Sequence, residues 1–140
     1  MARTSDLVAA VRGLFLASPE LTAIIPPEAI IDRLVWPPSD RALCPGEIVW
    51  SDAGSMDRRR LDVRMTWDAH LPGGALGDAA EVLDAIRVAI NRQPAFEAEG
   101  WQILGGKVEA AHTFRRERDG TDPAIVVGVA ALRFLAREIE

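Results

Sequence analysis

Residues 58–70, RRRLDVRMTWDAH, constrain this chain more than any other stretch. Leu61, Val63, Met65, Trp67 and Ala69 alternate there with Asp62, Arg64, Thr66, Asp68 and His70. Successive Cβ atoms leave a pleated backbone on opposite sides, so this period is that of a strand with one buried face. The rest of the chain must supply a layer to cover that face.

Two segments can do so. Leu7, Val8, Val11, Leu14 and Phe15 follow Ser5 at helical spacing, which predicts a helix N-capped by Ser5 and ending near Ala17. Pro19 opens a second short turn through Ile25, and Pro26 and Pro27 stop it. After the Gly-rich LPGGALG, a helix from about Asp78 to Asn91 presents Ala79, Leu83, Ile86 and Ile90 on one stripe, widened by Val82 and Ala89. Pro94 ends it.

The remaining segments read as extended chain. Residues 29–36 suit a short strand or an extended arm, and residues 37–45, PPSDRALCP, an exposed loop. Residues 47–51 predict a short strand joined to the long one through SDAGSMD as a hairpin. A strand from about Trp101 to Arg116 is expected to put Val108, Ala110, His112 and Phe114 on one face. Lys107, Glu109, Thr113 and Arg115 would then lie on the other, with Gly105 and Gly106 at a bulge. Asp119-Gly120 is a hairpin signal, leading into a last strand from about Ala124 to Leu135. That strand is apolar on both faces, so it is either central in its sheet or covered by another subunit. The expected fold is α+β: a mixed, mostly antiparallel four-stranded sheet with helices packed on one face, in a single domain over residues 1–140.

Composition narrows the function. A chain of 140 residues, 49% hydrophobic and 26% charged, can bury its own core. A net charge of -5 argues against direct nucleic-acid recognition, which needs a dominant basic surface. Cys44 is the one cysteine, so no intramolecular disulfide forms and a reducing cytoplasm suits its synthesis. The first twenty residues superficially resemble a secretory signal, but Asp6 and Arg12 interrupt the apolar run. No stretch of about eighteen apolar residues exists to span a membrane. Lys107 is the only lysine among sixteen basic residues. Codon bias explains that, and arginine's planar fork also suits protein interfaces.

Candidate chemistry is sparse. LPGGALGD sits between strand and helix, yet it lacks the Lys and Ser/Thr of a nucleotide loop, and Asp78 would repel a phosphate. Cys44, Asp68 and His70 make a conceivable nucleophilic set, since a base needs an orienting carboxylate. Asp68 and His70 nonetheless stand two apart on a polar strand face, with Cys44 in a loop, an ordinary place for such residues. His112, on the apolar face, reads as a core or interface residue, and two histidines with one cysteine lack metal-site spacing. We therefore expect no catalytic, cofactor-binding or metal-binding residues. Two arginine runs flank the hairpin turns: Arg58, Arg59 and Arg60 beside the first, and Arg115, Arg116 and Arg118 beside the second. They read as solvated hairpin ends or as docking points for acidic protein surfaces. Trp36, Trp50, Trp67 and Trp101 are spread over different elements, mostly as core, with one or two available as interface anchors.

The order of these elements resembles a family. ASPELTAIIP leads through a proline-bearing loop to CPGEIVW, then to RRRLDVRMTWDA, LGDAAEVLDAIRVAIN and GGKVEAAHTFRRERDGTDPAIVVGVAALRFLA. Over residues 5–136 this resembles the tail-terminator (tail-completion) proteins of long-tailed bacteriophages and gene transfer particles. PPEAIIDRLVWPP departs from the compact glycine-bearing loop of many relatives. The resemblance implies a structural virion protein without catalysis or cofactor. It implies a hexameric ring that caps the last tail-tube ring, ends tail growth, and offers the joining surface for the head-tail connector or stopper protein. The implied location is the head-proximal end of the tail, after assembly in the host cytoplasm. The alternatives are another neck protein (head-completion or stopper) and, from a different class, a small hydrolase or ligand-binding domain using Asp68, His70 and Cys44.

Overall fold

The alternation of residues 61–71 is realised as β2 (Arg60–Pro72), an interior strand of the sheet between β1 (Ala42–Asp52) and the central β5 (Ile125–Glu138). The computed structural model describes residues 3–32, 40–53, 60–117 and 124–139. Around β2 lie α1 (Asp6–Leu16), α2 (Pro19–Thr22), a 3-10 turn at Pro27–Ala29, β1 (Ala42–Asp52), α3 (Leu76–Arg92), β3 (Phe96–Ala98), β4 (Trp101–Arg116) and β5 (Ile125–Glu138). The sheet order is β1-β2-β5-β4-β3, with every neighbouring pair antiparallel. β2 and β4 therefore run parallel to each other with β5 inserted between them, and α3 is the crossover that joins them across one face.

That face is the core. Leu61, Val63, Met65, Trp67, Ala69 and Leu71 of β2 are all buried. β5 sets Ala136, Phe134, Leu132, Ala130, Gly128 and Val126 beside them, residue for residue. The expected stripe of α3, from Ala79 to Ile90, is buried against this surface, and Ala85 joins it. From α1 come Leu7, Val11 and Phe15, with the Phe15 ring edge-on to Trp67 at 5.0 Å. Trp101 closes the far end of the core, and its indole N–H donates to the Arg3 carbonyl at 2.8 Å. At Gly128 the helix comes so close that a Cβ would meet Leu83 Cγ at 3.3 Å and Ala79 Cβ at 3.4 Å.

The structure corrects several expectations. The sheet has five strands and not four, because β3 pairs with the start of β4 through a two-residue turn in which Glu99 and Gly100 both take positive φ. Three residues are too few to show a period, so only that turn could have disclosed the strand. β1 is longer than residues 47–51. It begins at Ala42, so Cys44 is a buried strand residue and not part of a loop. β4 carries two register shifts, one at the expected Gly105-Gly106 bulge and a second between Val108 and Ala110. An extra residue in one strand reverses the facing of everything beyond it. Val108 thus lies against the core, opposite Leu132, while Ala110, His112 and Phe114 lie on the other face. At the helix starts, Ser5 makes no side-chain cap, and Asp6 instead accepts from the Arg3 N–H at 2.9 Å. Ser18 caps α2 by accepting from Leu21 N–H at 3.3 Å. Asp78 stands in the first turn of α3 and accepts from Ala75 N–H at 2.8 Å, which satisfies a donor at that terminus. Residues 29–36 contribute one parallel bridge, Ile30 to Leu43, before residues 33–39, which lie outside the described residues together with Trp36.

Candidate assembly surface

The face of the sheet turned away from the helices is where unassigned chemistry collects. Its middle strand is apolar: Ile125, Val127, Val129, Ala131 and Leu135 of β5 point there, with Ala110 and Phe114 beside them on β4. Ile125 and Val127 are buried even there, whereas Leu135 and Phe114 are 49% and 42% exposed, and no described helix covers this side. The apolar character of both faces of β5, legible in the sequence, fits its central place in the sheet: Ile125 and Val127 are buried on this second face, and exposure is confined to Leu135 near the end of the strand.

Charged residues frame that strip on one side. Asp62 and Arg133 form a two-point ion pair, with Nη2–Oδ2 at 2.9 Å and Nε–Oδ1 at 3.2 Å. Glu109 bridges Arg64 and Arg133 at 3.6 Å each. The Arg133 guanidinium holds the Asp62 carboxyl below the usual carboxylate range, and that charge raises Arg133 in turn. Beside this network lies an open groove of about 380 Å³, lined by Leu104, Gly105, Lys107 and Leu135 as well as Asp62 and Arg133. Periodicity could not have assembled these groups. They come from three strands, and only the register brings them together.

Cys44, Asp68 and His70 do meet on this face. Cys44 stands directly opposite Asp68 in the ladder, its Sγ 3.8 Å from the Asp68 carbonyl, and His70 lies opposite Ala42. His70 is buried, contrary to the solvated position expected of it. Juxtaposition does not make the set reactive. Burial, reinforced by the Asp68 charge, pushes the Cys44 thiol up to about 11, so it stays protonated near neutrality. Burial also raises Asp68, an effect His112 opposes, and burial with the Arg116 charge lowers His70. His112, expected on the apolar face, is exposed and stacks on Phe114 at 5.8 Å. No cluster of three metal-ligating side chains occurs among the described residues. Nor is any described helix long and apolar enough to cross a membrane.

The described members of the two arginine runs fall at opposite ends of the sheet. Arg60 opens β2 opposite Arg137, whereas Arg115 and Arg116 close β4 opposite Val126 and Ile125. All three are exposed. Arg58, Arg59 and Arg118 lie outside the described residues. Among the tryptophans, Trp67 and Trp101 are core, while Trp50 is 46% exposed and Val49 beside it 52%.

Known proteins supply context for this geometry. Residues 9–137 match the family described as tail completion protein gp17. No curated protein matches the chain. Among solved structures it is similar to a chain of the virion of a native gene transfer agent (GTA) particle. The TM-score is 0.74 at 17% identity, with 94% of each chain covered, a likeness of fold.

Proposed function

This chain belongs to the tail completion protein gp17 family, and on that premise we propose that it caps the tail tube as a hexameric ring, ends tail growth and provides the head-tail joining surface. Membership makes it a structural virion protein of a phage-type tail, working among other tail proteins. The observation that carries the reading is the family match, which runs through nearly the whole domain. The physical features agree with it. The sheet leaves Val49, Trp50, Phe114 and Leu135 exposed, and exposed arginines stand at both of its ends. The Cys44 thiol, held protonated, is poorly suited to serve as a nucleophile.

Deleting the coding segment and imaging the resulting particles tests the proposal. Overlong tails without heads, restored to normal by the full chain in trans, are expected. Tails of normal length attached to leaking or empty heads would instead indicate a stopper or head-completion role. Light scattering and electron microscopy of the purified chain, or of the chain mixed with tail tubes, should show six-membered rings.

A further inference from the structure

The sheet ends in two strand edges that are only half covered. On β1 the free edge is occupied at Leu43, by the bridge to Ile30 and by Ile31 N–H donating to its carbonyl at 2.9 Å. Beyond it, residues 47–52 have β2 as their one strand neighbour among the described residues. On β4, β3 covers residues 101–103, and Gly106 N–H donates to the Pro94 carbonyl at 2.8 Å. Residues 107–116 then have β5 as their one described strand neighbour. An uncovered edge of this length is a template for another strand.

We infer that copies of this chain join edge to edge, residues 47–52 of β1 in one copy adding as an antiparallel strand to residues 107–116 of β4 in the next. The occupant is a second copy for three reasons. The first is direction: three antiparallel steps separate β1 from β4, so β1 of a copy turned about a ring axis arrives antiparallel to β4. Such a head-to-tail contact can close into a ring. The second is complementarity. The β1 segment carries Glu47 and Asp52 and no base, whereas the end of the β4 segment carries His112, Arg115 and Arg116. Placing Val49 opposite Phe114 keeps the faces of both sheets aligned. It covers two exposed apolar side chains with each other, sets Trp50 beside Thr113 and brings Glu47 opposite Arg116.

The third reason is that the offset closes. Val49 lies in the row of Arg64, Arg133 and Lys107, and Phe114 in the row of Val127, His70 and Ala42, six residues away along β5. At about 3.3 Å per residue and strands about 4.8 Å apart, each copy of four paired strands advances about 20 Å along the strands for about 19 Å across them. The strands then tilt about 45° to the ring axis, at the upper end of the range that closed barrels adopt.

The inference rests on the proposed ring and adds the contact that builds it. Full-length chain carrying Val49→Cys and Phe114→Cys should give, on mild oxidation, a ladder of linked species up to the full ring, since directly opposed Cβ atoms lie within disulfide reach. An equal mixture of the two single variants should stop at dimers, and the unaltered chain with Cys44 alone should give no ladder. Glu47→Arg should raise the concentration for half-assembly about tenfold, and adding Arg116→Glu to the same chain should restore it. Rings that form normally while the double-cysteine chain stays unlinked would overturn the edge contact and leave the ring standing. A purified chain that stays monomeric at every concentration, with and without tail tubes, would overturn both.

Discussion

His70 is a titratable side chain folded into a place that favours its neutral form. It is 6% exposed, and burial together with the Arg116 charge holds its pKa below the ordinary 6.5. In the window below 6.5 the unfolded chain therefore binds a proton that the folded chain resists, so stability falls as pH drops through it. Asp68 works with the opposite sign. Its raised pKa gives stability below the ordinary 3.8 that is lost as pH rises through the folded value, a window nearer the acid side. The melting temperature should accordingly decline between about pH 7.5 and about pH 5.5, and His70→Gln should flatten that decline. An unchanged slope in the variant would show that another group titrates. Cys44 gives a second test. With its thiol at about 11, about one molecule in a thousand carries the thiolate at pH 8, so iodoacetamide should label it slowly until denaturant is added. Rapid labelling of the native chain would revive the nucleophilic reading of Cys44, Asp68 and His70.

Among the elements, the contact of α3 with β5 is a close one. A Cβ at Gly128 would press Leu83 and Ala79 back by a few tenths of an ångström, and Leu83 and Ile86 are buried on the stripe packed there. Gly128→Val should cost about 1–3 kcal/mol by lifting the helix. Leu83→Ala or Ile86→Ala should cost about 2–5 kcal/mol. Because the Gly128 and Leu83 changes meet in one space, the Gly128→Val/Leu83→Ala pair should cost less than the sum of the two, measured by chemical denaturation. These elements were legible because each buries one face, and burial writes a period into the sequence: two for β2, 3.6 for α3. What was not legible lacked that signal. β3 is too short to repeat, the second bulge of β4 reverses its facing with no glycine to mark it, and the early half of β1 hides behind Pro45 and Gly46 in a stretch that reads as loop. Ser5 has a good cap's identity but sits in helical backbone, whereas Ser18, just before Pro19, is extended and caps.

At the scale of the whole molecule, connectivity decides where charge can act. The hairpin from β1 to β2 and the hairpin from β4 to β5 lie at opposite ends because the crossover through α3 returns the chain to the end where β2 began. That much followed from the order of elements. The ion-pair network needed the register, since Asp62, Glu109 and Arg133 belong to three different strands. The two arginine runs should therefore serve different contacts. Arg115 and Arg116 stand on the β4 edge proposed to join copies, so reversing Arg115, Arg116 and Arg118 to Glu should weaken ring formation itself. Arg60 stands at the far end of the sheet, so reversing Arg58, Arg59 and Arg60 should leave rings intact while impairing tube capping or head joining. Neither triple change should shift folding stability by more than about 1 kcal/mol, because exposed charges contribute little to it while charges at a rim steer association. Circular dichroism melts, light scattering of the purified chain and micrographs of complemented particles separate these outcomes. Normal rings, tail lengths and head joining in both triple variants would remove the arginines from assembly, and a ring defect confined to the Arg58–Arg60 change would reverse the assignment of the two ends.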